Sequence, residues 1–163
     1  MLSSTVSKED WIGVASIFIF SLVLVTTSLA WQAFGPNNIP SQTIHIEPRE
    51  ALALARSFAQ NYSSKVVDPG STVYITAIQW AFIPNKIVLK AGAKYRFVLS
   101  AYDVVHGFSL IGSDGTVYNF MLMPGMAYVV EIGFNKPGIY EVRCNEYCGI
   151  GHQDMIMRIE VVG

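Results

Sequence analysis

A long segment without any ionisable side chain constrains the fold of this chain more than any other feature. No Asp, Glu, Lys, Arg or His occurs between Trp11 and Ile44, and residues 11–31 are almost entirely apolar or small. Those residues, as a helix, would be roughly 30 Å long, the thickness of the hydrocarbon core of a bilayer. Trp11 and Trp31 bracket the segment, as aromatic anchors do at the two membrane interfaces. The sequence therefore predicts a transmembrane helix over 11–31, after a tail over 1–10.

A secretory signal peptide is the alternative interpretation of this segment. Ser28–Leu29–Ala30 offers a cleavage site of small residues. However, Lys8 is followed at once by Glu9 and Asp10, so the preceding region is not positively charged, and the apolar run exceeds the usual ~7–15 residues. Lys8 and the amino terminus favour an N-terminus on the inner side of the membrane. That orientation would place the rest of the chain on the outer side.

The charge balance of the chain excludes some partners. Eleven basic and twelve acidic side chains give a formal net charge of -1, and charged residues make up only 14% of the 163 residues. A nucleic-acid partner is therefore not predicted, because such proteins carry a concentrated basic surface.

Residues 32–71 are predicted to form a linker that contains one short helix. Turn-forming residues dominate its beginning, and Pro48 then starts an alanine-rich and leucine-rich pattern that continues to about Asn61. Proline is tolerated in the first turn of a helix, which supports a helix over 47–61. This helix is expected to lie at the membrane surface.

From Thr72 onward the apolar pattern changes to a period of two, which is typical of β-strands. Glycine-containing and proline-containing turns separate further strand-like runs at 86–90, 94–100, 106–111, 116–123, 126–134, 138–143 and 155–162. Short strands at this spacing favour a β-sandwich or a Greek-key barrel. Residues 72–163 are therefore predicted to be one mainly β domain.

Soft metal ligands are concentrated near the end of this domain. Cys144, Cys148, His152 and Met155 lie within twelve residues, and the chain has no other cysteine. Thiolate, imidazole and thioether ligands suit copper better than magnesium or calcium. His106, at the start of a predicted strand, is a candidate further ligand, because a sandwich can bring a strand end beside the loop between its last two strands.

Three other interpretations compete for the same loop. A disulfide between Cys144 and Cys148 would suit an exported domain, but it does not explain the positions of His152 and Met155. A structural zinc site makes no use of a thioether, and a redox dithiol normally has two residues between its cysteines, where this loop has three. Copper is the metal that the pattern favours.

The loop pattern Cys-x-Glu-x-Cys-x-x-x-His-x-x-Met, with an upstream His-x-Phe at His106, resembles the binuclear CuA loop of cytochrome c oxidase subunit II. The resemblance covers residues 72–163. The single preceding helix is similar to that of the short subunit II of B-type heme-copper oxidases.

The resemblance implies a cupredoxin-like Greek-key β-sandwich after one N-terminal transmembrane helix, with a CuA site of two copper ions. By that pattern Cys144 and Cys148 bridge both coppers, and His106 and His152 are the terminal ligands. Met155 is then a weak axial ligand on the copper bound by His106, and the backbone carbonyl of Glu146 is the axial ligand on the other. The Glu146 carboxylate, by the same resemblance, is a candidate Mg ligand at the interface with subunit I; a solvated or hydrogen-bonded loop carboxylate is the alternative.

The resemblance also implies a function. The chain would accept electrons from a c-type cytochrome or a small copper protein and pass them to heme in oxidase subunit I, where oxygen is reduced. It would be a single-pass protein of the plasma membrane with its C-terminal domain on the outer, periplasmic side. Trp80 matches a family segment near the donor-docking surface and is a candidate point of electron acceptance, with a packing role as its alternative.

Two other functions compete with this one. A membrane-tethered protein could store copper or deliver it to an assembling oxidase. The CuA module of nitrous oxide reductase has similar loop spacing, but it fits poorly with one N-terminal anchor and no catalytic domain.

Overall fold

A computed structural model describes residues 7–35, 40–63 and 65–163 of the chain. It contains two compact units, Met1–Asn37 and Asn38–Gly163. The described part of the first unit is a single helix, α1, over Lys8–Phe34, and its 27 residues correspond to about 40 Å. The predicted apolar span of 11–31 lies wholly inside α1, which is long and apolar enough to cross a membrane.

The N-terminal cap and the hydroxyl side chains of α1 form their hydrogen bonds within the helix. Ser7 caps the helix: its Oγ accepts a hydrogen bond from the Asp10 backbone N–H at 3.1 Å, and the Asp10 carboxylate accepts one from the Ser7 N–H at 2.8 Å. The hydroxyls of Ser16, Thr26 and Thr27 donate to backbone carbonyls four residues earlier. These polar groups therefore need no partner outside the helix.

The second unit contains, over its described residues, ten strands and one further long helix. They are β1 (Gln42–His45), α2 (Pro48–Tyr62), β2 (Thr72–Ile78), β3 (Ala81–Ile83), β4 (Lys86–Lys90), β5 (Ala93–Ala101), β6 (His106–Gly112), β7 (Val117–Leu122), β8 (Met126–Phe134), β9 (Gly138–Arg143) and β10 (Ile156–Val162). The eight strand-like runs identified in the sequence correspond to β2 and β4–β10, with bounds that agree to within two residues.

The strands form two five-stranded sheets, one in the order β1-β8-β5-β2-β3 and the other in the order β4-β10-β9-β6-β7. Most neighbours are antiparallel, but β2 with β5 and β4 with β10 are parallel pairs. Alternating apolar side chains from the two sheets form one core. Its largest fully buried members are Tyr95, Tyr140, Phe82, Phe97, Phe108 and Phe134. The prediction of a mainly β, two-sheet domain after one apolar helix is confirmed.

The region predicted as a linker contains more regular structure than expected. Strand β1 extends the first sheet by pairing antiparallel with β8, with Gln42 opposite Val129. Its four residues are all exposed, so no alternation of apolar and polar residues marked it in the sequence. Main-chain hydrogen bonds to β8, and not burial of side chains, hold this strand in place.

Helix α2 corresponds to the helix predicted over 47–61 and packs on the first sheet. Its apolar side chains Ala51, Leu52, Ala55 and Phe58 are buried, and the Thr76 hydroxyl on β2 donates to the Ala51 carbonyl at 3.1 Å. The apolar side of this helix therefore packs on the sheet of the second unit. Its place at the membrane surface stays a prediction.

The segments that carry the predicted ligands meet at one end of the sandwich. β6 begins at His106, and β9 ends at Arg143, which lies opposite Ile156 at the start of β10. The segment between β9 and β10 therefore leaves and re-enters the sheet at the same end. Side-chain contacts between this segment, the start of β6 and the turn between β2 and β3 join the two sheets here.

Candidate metal centre

Two cysteines and one histidine form the buried centre of this end. His106 is fully buried at the first position of β6, Cys144 follows the last residue of β9, and Cys148 lies four residues further along. Their ligand atoms all lie within 4.8 Å of one another. The first residue of β6 and the loop that follows β9 are thus brought to one point.

Short distances between side-chain atoms connect the five predicted ligand groups one after another. Cys144 Sγ lies 3.7 Å from Cys148 Sγ and 3.8 Å from His106 Nδ1. Cys148 Sγ in turn lies 3.6 Å from His152 Nδ1 and 3.9 Å from Met155 Sδ. The two sulfurs lie at the middle of the cluster, and each has one imidazole nitrogen beside it.

Glu146 contributes its backbone on the inner side of the loop. Its carbonyl oxygen lies 3.2 Å from Cys144 Sγ. Across the described residues, its carboxylate has no hydrogen bond or ion pair, and the side chain is partly exposed. The carbonyl of Glu146 therefore faces the two thiols, whereas its carboxylate has no partner among the described residues.

The loop is closed by its own backbone. Cys144 N–H donates to the Met155 carbonyl at 3.2 Å, and a single 3₁₀ turn over His152–Asp154 follows a hydrogen bond from His152 N–H to the Gly149 carbonyl. Gly149 adopts a φ of +118°, a conformation that a residue with a Cβ rarely adopts. These bonds fix the spacing between the cysteines and Met155.

Asp103 orients the buried histidine. Its Oδ1 accepts a hydrogen bond from His106 Nε2 at 2.8 Å, and its Oδ2 accepts one from the Gln79 backbone N–H at 2.7 Å. Burial acts to raise the pKa of Asp103, but hydrogen bonds from these groups and from Val104 N–H outweigh it, so the pKa lies below its ordinary value. An ionised Asp103 keeps the proton of His106 on Nε2, so the lone pair of Nδ1 faces Cys144 Sγ.

Two side chains from the turn between β2 and β3 hold the carbonyl of Cys148. Gln79 Nε2 donates to it at 2.7 Å, and Trp80 Nε1 donates at 3.1 Å. The Trp80 ring lies directly over Gly151, where a Cβ would come within 2.7 Å of the indole. Trp80 is 44% exposed, so this indole connects the ligand loop to the surface.

The Cys148 thiol is protonated in the metal-free protein. Burial and the neighbouring Cys144 raise the pKa of Cys148 to about 12. Metal binding must therefore displace a proton from this thiol. Both cysteines are free, so the disulfide interpretation of the loop does not describe this state.

The donor set itself fits copper. Two thiols, two imidazole nitrogens and a thioether converge in one largely buried cluster. Thiolate and thioether ligands favour copper over hard cations, and a zinc site would leave the thioether unused. A group of two thiols at the centre is also suited to bridge two ions.

Exposed apolar side chains lie in and next to the segments that form the cluster. Tyr147 is 80% exposed and Ile150 is 85% exposed, and the Tyr147 ring lies 5.8 Å from the ring of His152. We call the exposed side chains of this end the apolar end surface; they are Trp80, Val104, Val105, Met121, Met123, Tyr147 and Ile150. Large apolar patches on a domain surface mark interaction sites.

Sequence reasoning missed three residues that support the cluster. Asp103 and Gln79 orient ligand residues by hydrogen bonds, and Gly107 lies against Cys144. The proximity of Asp103 to His106 in the sequence is the one local signal. Gln79 and Gly107 contact residues 69 and 37 positions away, which no local pattern reveals.

Comparison with known proteins identifies the family. A family model described as cytochrome C oxidase subunit II, periplasmic domain, matches residues 58–162. The chain is 40% identical over 159 residues to a cytochrome c oxidase subunit 2 of Thermus thermophilus, and the match covers 94% of this chain and 90% of that relative.

Solved structures agree with this result. A heme-copper terminal oxidase dimer contains a chain that matches with a TM-score of 0.67 and 27% identity, over 95% of this chain and 100% of that one. The periplasmic domain of subunit II of the cytochrome oxidase of Bradyrhizobium japonicum has the same fold, with a TM-score of 0.51 and 21% identity over 59% of this chain and 86% of that one. The resemblance inferred from the loop is confirmed: the chain belongs to the cytochrome c oxidase subunit II family, the second subunit of heme-copper terminal oxidases.

Proposed function

We propose that this chain is the electron-accepting subunit of its oxidase and that it holds a binuclear CuA centre. The ligands would be Cys144 and Cys148 as bridges, His106 and His152 as terminal ligands, and Met155 and the Glu146 carbonyl as axial ligands. Copper, when bound, supplies one-electron redox chemistry. The observation that carries this proposal is the pair of buried thiols 3.7 Å apart, with an imidazole nitrogen beside each.

The arrangement of the donors favours electron transfer over substrate chemistry. The protein offers a thioether and a backbone carbonyl in addition to the four thiol and imidazole groups, so little room is left for a substrate at the metal. Three ligand groups stand on or beside strands, and the loop is closed by backbone hydrogen bonds. A scaffold of this kind holds ligands in nearly one geometry during oxidation and reduction, which keeps the reorganisation small.

Trp80 is the proposed point at which electrons arrive. Its indole is partly exposed, and its Nε1 lies 3.1 Å from the carbonyl of the ligand residue Cys148. A donor that touches the indole would thus be one hydrogen bond away from a ligand residue. The same contact also packs the ring on the loop, so its two roles must be separated experimentally.

The apolar end surface is the proposed docking site for the donor, a c-type cytochrome or a small copper protein. Tyr147 and Ile150 are the most exposed members of that surface and lie within the ligand loop itself. Contact of apolar side chains does not depend on long-range charge attraction, so association should vary little with ionic strength. This surface therefore favours a donor with an exposed apolar patch around its redox group.

Glu146 is proposed to link the copper centre to the partner subunit. Its carbonyl faces Cys144 Sγ at 3.2 Å, while its carboxylate has no partner within the described residues. An unpaired carboxylate is a suitable Mg²⁺ ligand when a second protein supplies further oxygens. Magnesium at the interface with the heme-bearing subunit I is the corresponding proposal.

Helix α1 supports a membrane setting for this function. We propose that α1 anchors the chain in the plasma membrane by a single crossing and that the second unit lies on the outer, periplasmic side. The span of 27 residues with a mean hydropathy of 2.3 in its most apolar window supports an anchor. Subunit I, in the same membrane, would receive the electrons at its heme.

Isolation of the chain with its native membrane partners tests this function. We expect the detergent-solubilised complex to contain heme and copper, and we expect a reduced c-type cytochrome to reduce the copper before the heme in stopped-flow absorption measurements. Ile150→Ala should slow the bimolecular step, whereas Ile139→Ala, at an exposed position at the opposite end of β9, should not.

Two outcomes would contradict the proposal. Reduction of heme ahead of copper would show that electrons do not pass through this chain on their way to heme. Rapid loss of copper to a chelator, with no heme protein in the complex, would favour copper storage or delivery instead.

A further inference from the structure

Gly107 brings a backbone N–H group against one of the two central sulfurs. Its nitrogen lies 3.4 Å from Cys144 Sγ in a buried contact. Gly107 directly follows the ligand residue His106 and is itself buried. The strand that presents the histidine therefore also presents a hydrogen-bond donor to the neighbouring thiol.

The close approach depends on the absence of a side chain at position 107. A Cβ there would overlap Asn145 Oδ1 and lie 2.7 Å and 2.8 Å from the backbone nitrogens of Asn145 and Glu146. Real Cβ atoms essentially never approach other heavy atoms within 3.0 Å. Any larger residue would push the loop that follows Cys144 away from β6, and the N–H···S contact would be lost with it.

The two sulfurs differ in this respect. Cys144 Sγ accepts a hydrogen bond from a backbone amide, whereas the neighbours of Cys148 Sγ are the ligand groups Cys144, His152 and Met155. Among the described residues, Gly107 supplies the backbone N–H donated to either sulfur. The protein therefore polarises one sulfur more than the other.

We infer that Gly107 is a positioning residue that raises the reduction potential of the copper centre by donating its backbone N–H to the Cys144 thiolate. This inference rests on the proposed copper site. Hydrogen bonds to a ligand sulfur withdraw negative charge from it, and such bonds are among the features that tune copper–thiolate potentials. The reduced centre carries more negative charge, so the N–H group stabilises the reduced state more than the oxidised state.

The test compares Gly107→Ala with Gly133→Ala in the copper-loaded full chain in detergent. Gly133 is a strand glycine whose added Cβ would meet only Lys94 Cγ at 3.5 Å, an ordinary contact. We expect a lower potential and an altered copper hyperfine splitting in Gly107→Ala, and wild-type values in Gly133→Ala. An unchanged potential in Gly107→Ala, or an equal fall in both variants, would overturn the inference.

If Gly107→Ala does not retain copper, a measurement on the wild-type protein tests the hydrogen bond from the Gly107 N–H to Cys144 Sγ instead. In ¹⁵N-labelled protein, the Gly107 amide proton should shift between the oxidised and reduced states much more than the amide proton of Ser109 on the same strand. Equal shifts would overturn the inference. Absence of a two-copper spectrum in the wild type would refute the proposed function as well, whereas a normal centre that is indifferent to Gly107 refutes this inference alone.

Discussion

Replacement of Met155 by leucine separates the role of the thioether from that of its packing. Met155 is 1% exposed, belongs to the main core, and places its sulfur 3.9 Å from Cys148 Sγ. Leucine has nearly the same volume and keeps the contacts with the core, but it has no donor atom.

The expected cost of this change to the fold is small. A volume-conserving swap of methionine for leucine in a core usually costs less than about 1.5 kcal/mol, whereas truncation to alanine would cost about 2–5 kcal/mol. Met155→Leu should therefore still fold and bind copper through the thiol and imidazole groups. Loss of a weak electron-donating ligand destabilises the electron-poor oxidised state more, so the reduction potential should rise.

Met157→Leu is the matched control, because Met157 lies two residues after Met155, on β10, and is buried in the same core. Urea unfolding of both metal-free variants, copper content and a redox titration of both loaded variants provide the measurements. We expect similar free energies of unfolding and full copper content for both, with a raised potential for Met155→Leu alone. Complete loss of copper from Met155→Leu, or equal potentials in the two variants, would refute the assignment of Met155 as a weak axial ligand.

Three further predictions concern the fold and its pH dependence. Phe108→Ala should lower the free energy of unfolding in urea by about 3–5 kcal/mol, because this fully buried ring packs between the two sheets; a change below about 1 kcal/mol would contradict its place in the core. Because burial raises the pKa of Cys148 from 9.0 to about 12, the metal-free fold favours the thiol form and should lose stability as the pH rises between these values; Cys148→Ser should reduce that loss, and an equal loss would argue against the cause. Hydrogen bonds from Thr116, and then from Tyr140, lower the pKa of Asp114. The contribution of the ionised Asp114 to the free energy of unfolding should therefore be present above about pH 3.8 and disappear as the pH falls further. Asp114→Asn should make acid unfolding, followed by circular dichroism, less steep.

The parts of the fold that the sequence predicted are those with a strong local pattern. Strands β4–β10 are short β-rich runs between turn signals, and the ligand loop places four soft ligands within twelve residues. The exposed strand β1 has no such pattern, because its side chains face solvent and its backbone bonds to β8 hold it. The helix α2 was predicted from its alanine and leucine content, but its packing partner was not, because the contact with β2 joins segments far apart in the chain.

In the candidate site, too, local sequence patterns indicated some residues and not others. The ligand types and the family pattern indicated His106, Cys144, Cys148, His152 and Met155 from the sequence. The groups that orient these residues act across the fold: Gln79 reaches the Cys148 carbonyl, and the Gly107 amide reaches Cys144. Such contacts follow from the register of the strands and the approach of the two sheets, which residue spacing does not encode.

Electron paramagnetic resonance of the oxidised, copper-loaded chain, combined with metal analysis, tests the central claim most directly. Two coppers that share one unpaired electron through the thiolates of Cys144 and Cys148 should give a seven-line hyperfine pattern and two copper ions per chain. The paired cysteines predict that result on ligand type and bridging geometry. A four-line pattern with one copper ion per chain would indicate a mononuclear site and would contradict the proposed electron relay.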